Sequence, residues 1–389
     1  MTGFPIVFLK DIAHIEREIV QAANIEAGER YVGLENINSR GIVCGVVEAA
    51  AGQIASAKFR FTADHILYGK LRPYLSKIAL PDFSGVCSTD ILPLKPTELV
   101  DKRYLWHCLR QPSLVELANS RATGANLPRL SPKQLEDFEV PLPKLAEQKR
   151  IAAILDKADA LRAKRRKALE QLDALAQAIF IEMFGEPSSE SERWPVIRFG
   201  ELPGISFRNG VSPSSEASVE SKVLTLSAIT GTCFDHTQVK VGKYRSHPGE
   251  MQSVNQSDLL ICRGNGNSNL VGKGYFPKVS EPDVYFPDTM IAVRVGSEKM
   301  LPLFLEFLWG RSFIRTQINA KARTTNGTFK INQKALEDIS LICPPLDLQQ
   351  NFSSRLVQIN RQKVILAAQG NELDALFSSL QHRAFRGEL

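Results

Sequence analysis

The stretch RGNGNSNLVGKG (263–274) holds the residue types of a phosphate-cradling loop: glycines that admit an anion to backbone N–H groups, and a lysine to neutralise it. Its spacing does not suit that chemistry. Gly272-Lys273 falls one residue too far from Gly266, and Gly274 stands where a hydroxyl would ligate magnesium. A glycine-rich loop or hairpin is the better reading. ICPPL (342–346) has the proline pair of an amino-methyltransferase motif, without the Asn or Asp before it or the aromatic after it. The groups that would bind and stack a target amine are therefore missing. Cys233 and His236 make a C-x-x-H with no second pair, too few ligands for a zinc site. His107-Cys108 sits in an apolar helical stretch and reads as packing. Carboxylates are plentiful, but no motif marks two of them as a catalytic pair. The residues point to binding, not turnover.

The elements that would position a binding surface are written twice. Shifted by 201 positions, residues 135–185 fall on 336–386 without a gap: Leu135-Glu136-Asp137 on Leu336-Glu337-Asp338, Gln148 on Gln349, Leu172-Asp173-Ala174-Leu175 on Leu373-Asp374-Ala375-Leu376, and Phe184 on Phe385. A period this long is no solenoid; it duplicates a whole domain with its attached segment. Each copy opens on prolines, VPLPKL (140–145) and CPPLDL (343–348), which forbid a helix there and favour one afterwards. Apolar spacing then alternates three and four, from Ile151 through Leu161 and Leu175 to Ile179, and from Phe352 through Leu373 and Leu376 to Leu380. That predicts two long a/d-striped helices, 146–184 and 348–389, the first about 58 Å long at about 1.5 Å per residue. Between them lie 1–145 and 185–347. These hold short β-type runs such as GIVCGVV and DLLICRG, each with a late helical stretch, and begin alike at Phe4-Pro5-Ile6-Val7 and Trp194-Pro195-Val196-Ile197. The expected fold is α+β: two related globular domains separated by two long helices.

Composition narrows the class. With 389 residues, 43% hydrophobic and 23% charged, the chain is long enough for two or three domains, each with a core. Six scattered cysteines read as reduced thiols of a cytoplasmic protein. No uncharged run approaches a membrane span, so neither insertion nor export is expected. A net charge of +6 suits a polyanion partner without requiring one.

LPKLAEQKRIAAILDKADALRAKRR…LDALAQAIFIEMFG, its worn second copy, and the divergent domain before each resemble the specificity (S) subunit of type I restriction–modification systems. The resemblance covers the full chain and is most specific in the first helical segment. It implies two target-recognition domains, each reading one half of a split site in double-stranded DNA. It also implies that the helices form an antiparallel coiled coil with pseudo-two-fold symmetry, which spaces the domains and docks two modification (methyltransferase) subunits. Motor-nuclease (restriction) subunits join the complex. S-adenosylmethionine, ATP and Mg²⁺ belong to those partners, leaving this chain no cofactor and no catalysis. A coiled-coil scaffold with two binding domains and no nucleic acid is the alternative that the residues leave open.

Base readout and phosphate clamping need Arg, Lys, Asn or Gln on loops that reach a groove. In the first domain the candidates are YGKLRPYLSK (Lys70, Arg72, Tyr74, Lys77) and RATGANLPR (Arg121, Asn126, Arg129). In the second they are CRGNGNSN (Arg263, Asn265, Asn267, with Lys273) and KARTTNGTFK (Arg323, Asn326, Lys330). LRAKRRKALE (161–170) adds a basic stretch at mid-helix, which reads equally as a solvated face or as a phosphate contact.

Overall fold

The computed structural model describes residues 3–48, 54–187, 193–212, 219–296, 298–325 and 327–389. They form two compact units, 1–168 with 366–389, and 169–365.

In the first unit the strand Ile6–Phe8 pairs antiparallel with Glu139–Pro141, so the chain enters and leaves its globular domain side by side. A four-stranded sheet follows the order Ala13–Ile15, Ile91–Pro96, Ile66–Gly69, Ile78–Ala79. A five-stranded sheet is built on Lys58–Phe61, Gly85–Cys87 and Arg30–Val32. The second unit repeats the plan. Val196–Arg198 pairs with Ser340–Ile342, and one four-stranded sheet runs Ser206–Asn209, Met290–Arg294, Asp258–Cys262, Gly274–Tyr275. The other is centred on Val219–Leu224 and Glu281–Tyr285. In the wholly buried strand Asp258–Cys262, residues 259–262 read as a continuous apolar stretch and not an alternating one, and the opening Asp258 is paired with Arg294.

Two helices close each domain, Lys102–Leu109 and Pro112–Arg121 in the first, Pro302–Trp309 and Ser312–Lys321 in the second. Their inward residues, Leu114 and Ala118 against Ile314 and Ile318, correspond at a shift of 200, not 201. The extra residue lies just after them, in the segment 122–129 against 322–330. A short helix then opens in both domains on a side-chain cap: Ser131 accepts from Gln134 N–H and Asn332 from Ala335 N–H, each relieving one unpaired donor of the first turn.

The long helices are Leu145–Phe184 and Leu346–Ala384. At about 1.5 Å per residue, forty residues run to about 60 Å, too long for one core. In the first unit Ile151, Ala152 and Leu155, from the start of one helix, share a core with Phe377 and Ala384, from the end of the other. In the second unit Ala176, Phe180 and Phe184 meet Phe352, Leu356 and Ile359. Within each unit the helices therefore run antiparallel.

The stripe differs from the heptad reading. Leu161, Leu175 and Leu376 are 46, 46 and 51% exposed, while the next residue in each case turns inward: Arg162, Ala176 and Phe377. The inward series Leu155, Arg162, Leu169, Ala176 keeps a seven-residue spacing, with Arg162 and Leu169 half-buried, so the heptad holds but is displaced by one residue at Leu161 and Leu175.

Candidate nucleic-acid interface

In the first domain the two candidate loops are stitched together. Leu71 bridges Arg129, and Arg129 bridges Thr123. Arg72 N–H donates to Pro128 O at 2.7 Å, and Leu130 N–H to Lys70 O at 3.0 Å. The loop 70–77 thus forms one edge of a short hairpin, 123–129, whose turn at Gly124 has φ +110°, a conformation that favours glycine. Arg72, Tyr74, Asn126 and Arg129 are exposed and Lys70 is half-buried. Arg129 Nε holds Asp90 at 3.2 Å across solvent.

The second domain builds the same device as a three-stranded sheet: Gly264–Asn265, Thr328–Lys330 and Arg323–Thr325. Gly264 pairs with Lys330, and Lys330 with Arg323. Ile331 N–H donates to Arg263 O at 2.9 Å, the counterpart of Leu130 to Lys70. Lys70 and Arg263 are therefore equivalent cations, and so are Arg129 and Lys330. Arg323 and Lys330 are exposed. Among the described residues Arg72, Arg323 and Lys330 enter no ion pair. Asn326 lies outside the described residues.

Several candidates are committed elsewhere. Lys77 Nζ donates to Leu34 O at 2.6 Å, and Lys273 Nζ to Thr230 O at 2.8 Å, so both tie down loop backbones. Arg121 lies over the Phe138 ring at 5.6 Å and reaches Asp137 O. The Asn265 and Asn267 side-chain carbonyls accept the N–H groups of Asn267 and Asn269, shaping the loop. In the basic stretch, Arg162 bonds Asp159 and Asp374 and stacks on Phe377 at 4.3 Å, so it joins helix to helix. Lys164 and Lys167 are exposed.

The motifs that resemble other chemistry have structural explanations. Gly272 has φ +77°, a Cβ there would strike Ile318 at 2.6 Å, and its carbonyl accepts from Trp309 Nε1 at 2.8 Å. This glycine serves a backbone packed hard against a helix. His107 is fully buried with Nε2 2.8 Å from Asp156. Burial pushes the Cys87 and Cys108 thiols up to about 12 and Cys262 up to about 11, which keeps them protonated and unreactive. Among the described residues no group of His, Cys, Asp and Glu could hold a metal, and no helix is long and apolar enough to cross a membrane.

Sequence reasoning aligned Gln148 with Gln349 but assigned them no task. Gln148 Oε1 accepts Asp101 N–H at 2.7 Å while its Nε2 donates to Leu99 O and Pro143 O. Gln349 makes the same three bonds, to Leu301 N–H, Lys299 O and Pro344 O. Each long helix is hooked to its domain by a buried carboxamide. A glutamine kept among otherwise diverging neighbours was the available signal.

Each α+β domain thus carries its own copy of the cationic β device and its own buried glutamine hook to a long helix. Residues 1–171 match the family model described as Type I restriction modification DNA specificity domain. The chain is 25% identical over 322 residues to the type I restriction enzyme StySPI specificity subunit of Salmonella potsdam, covering 76% of this chain and 67% of that one. It is 28% identical over 328 residues to the MjaVIII specificity subunit of Methanocaldococcus jannaschii, covering 78% and 74%. Among solved structures, a chain from work on complex assembly and conformational transition of the type I R-M system matches with a TM-score of 0.57 at 20% identity, covering 100% of this chain and 99% of that chain. The type I restriction-modification S subunit from M. genitalium matches at 0.55 and 13% identity, covering 98% and 96%. Residues 1–171 thus match a type I specificity domain, and over about three quarters of its length the chain is similar to specificity subunits of type I restriction–modification systems.

Proposed function

We propose that this chain is the DNA-reading subunit of a type I restriction–modification complex, with residues 1–145 and 185–347 each recognising one half of a bipartite site. The observation that carries the reading is the recurrence of one β device in both domains, with Lys70 and Arg129 in the first matched by Arg263 and Lys330 in the second. Arg129 and Lys330, exposed on loop edges, suit phosphate positioning, with half-buried Lys70 and Arg263 beside them, Arg263 also donating to Asp288 O at 3.3 Å; neighbouring Asn and Arg side chains suit base edges. The chain contributes specificity, and methylation and cleavage belong to separate subunits of the system. Two modification subunits dock on the helices 146–184 and 348–389, because a duplicated segment offers two equivalent surfaces to identical partners. Motor-nuclease subunits complete the assembly, which acts on DNA in the cytoplasm.

The test is to co-express the chain with its neighbouring modification subunit, weigh the purified complex and map methylated adenines genome-wide. A split motif methylated only when this chain is present, with two modification subunits per chain, is the expected result. No sequence preference, or methylation indifferent to this chain, overturns the reading.

A further inference from the structure

The two copies of the β device differ in what they expose between their cations. In the first domain Tyr74, Leu75 and Leu127 are 51, 37 and 44% exposed, on the loop and hairpin that the Arg72–Pro128 hydrogen bond holds together. Lys70, Arg72 and Arg129 stand beside them. The corresponding loop of the second domain carries Asn265, Asn267, Ser268 and Asn269 instead. The apolar trio is not a slack tip. Pro73 is buried beneath it, Ser76 N–H donates to Pro73 O at 2.9 Å, and Lys77 anchors the loop to Leu34 O. Arg72 and Ser76, which bracket Pro73–Leu75, are the two non-glycine residues with positive φ among those described, at 51° and 49°. The chain thus holds a constrained backbone in order to present apolar side chains to solvent inside a cationic rim.

We infer that Tyr74, Leu75 and Leu127 form a wedge that enters a base step of the first half-site and partly unstacks it, whereas the second domain reads its half-site by polar contacts alone. The occupant is duplex DNA. The flanking cations engage phosphates on either side, and the apolar groups contact base faces exposed by the opened step. This inference rests on the DNA-reading function proposed above and deepens it.

The experiment uses the full chain with its modification subunit and duplexes in which 2-aminopurine replaces an adenine in one half-site or the other. Binding should raise fluorescence several-fold in the first half-site and leave the second near its free-duplex value. Tyr74→Ala with Leu127→Ala should abolish that rise and weaken binding about tenfold, with the methylated sequence of the second half-site unchanged. Tyr74→Phe, which keeps the stacking ring, should retain the rise. Specific binding with no fluorescence change in the first half-site, or a rise that survives the double alanine variant, overturns the wedge and leaves the DNA-reading function intact. Failure of the unaltered chain to bind either half-site specifically overturns that function itself.

Discussion

At Gln148 and Gln349 one carboxamide satisfies a backbone N–H and two carbonyls that no helix or sheet reaches. Replacing either by Leu removes all three bonds and leaves the Pro143 or Pro344 carbonyl, at the buried end of the hook, without this partner. An unmade buried hydrogen bond costs about 1–3 kcal/mol, so a loss of about 2–4 kcal/mol is expected for each single variant in urea unfolding. A loss under about 0.5 kcal/mol would show that water reaches the hook. Glu306 supplies a pH test. Burial raises its carboxyl above the ordinary 4.5, although Phe276 N–H donates to it at 2.7 Å. The folded state therefore holds the proton more tightly than the unfolded chain does. Stability from this group is full below 4.5 and is lost as pH rises through the raised folded value. Glu306→Gln keeps an acceptor for Phe276 and removes the titration, so its stability relative to the unaltered chain should climb with pH across that window. A pH-independent difference would refute this account.

Across the helix pairs, Arg162 meets Asp374 in the first unit and Lys363 meets Asp173 at 2.6 Å in the second, and the two pairs correspond at the shift of 201. The repeated LDAL motif is partly explained: its Asp crosses to the partner helix in both copies, and Leu172 packs on the second core. Such part-exposed pairs contribute about 0.2–1 kcal/mol each, so they choose register more than they hold the fold. A double-mutant cycle of Asp173→Ala and Lys363→Ala should give a coupling in that range, shrinking in high salt. Zero coupling at low salt removes the pair from register selection. The helices themselves were legible, because proline brackets and a long apolar series leave little else. Their inward face was not legible to one residue, since neighbouring positions such as Leu175 and Ala176 are both apolar and the partner surface chooses between them. At the DNA-facing loops, Arg129→Ala or Lys330→Ala should weaken binding and lower the slope of log K against log salt by about one unit if each clamps a phosphate. An unchanged slope for both would place them off the DNA.

For the whole chain, the strongest expectation concerns the unread gap between half-sites. Deleting 163–166 and 364–367 removes about one turn, roughly 6 Å, from each long helix and leaves both cross-helix ion pairs in the sequence. Since 6 Å is close to two base pairs at about 3.4 Å each, the methylated motif should keep both halves and shorten its gap by one or two base pairs with weaker binding, or binding should be lost where the rotations of helix and DNA do not match. A folded variant that methylates the original gap at the original rate would sink the proposal that the helices set the spacing. Duplication, helix placement and the α+β class were readable in the sequence alone, because periodicity and proline punctuation act locally along the chain. What the tertiary structure decided is which groups the polar loop residues reach: Arg129 pairs with Asp90, and Arg263 donates to Asp288 O at 3.3 Å. Lys77, Arg121 and Lys273 look like ligand-binding cations in sequence, but they serve as internal anchors because distant backbone carbonyls come within their reach. Lys70 with Arg129, and Arg263 with Lys330, are brought together by strand pairing between segments about sixty residues apart in the chain. No local pattern encodes that pairing; it follows from how each domain closes around its core.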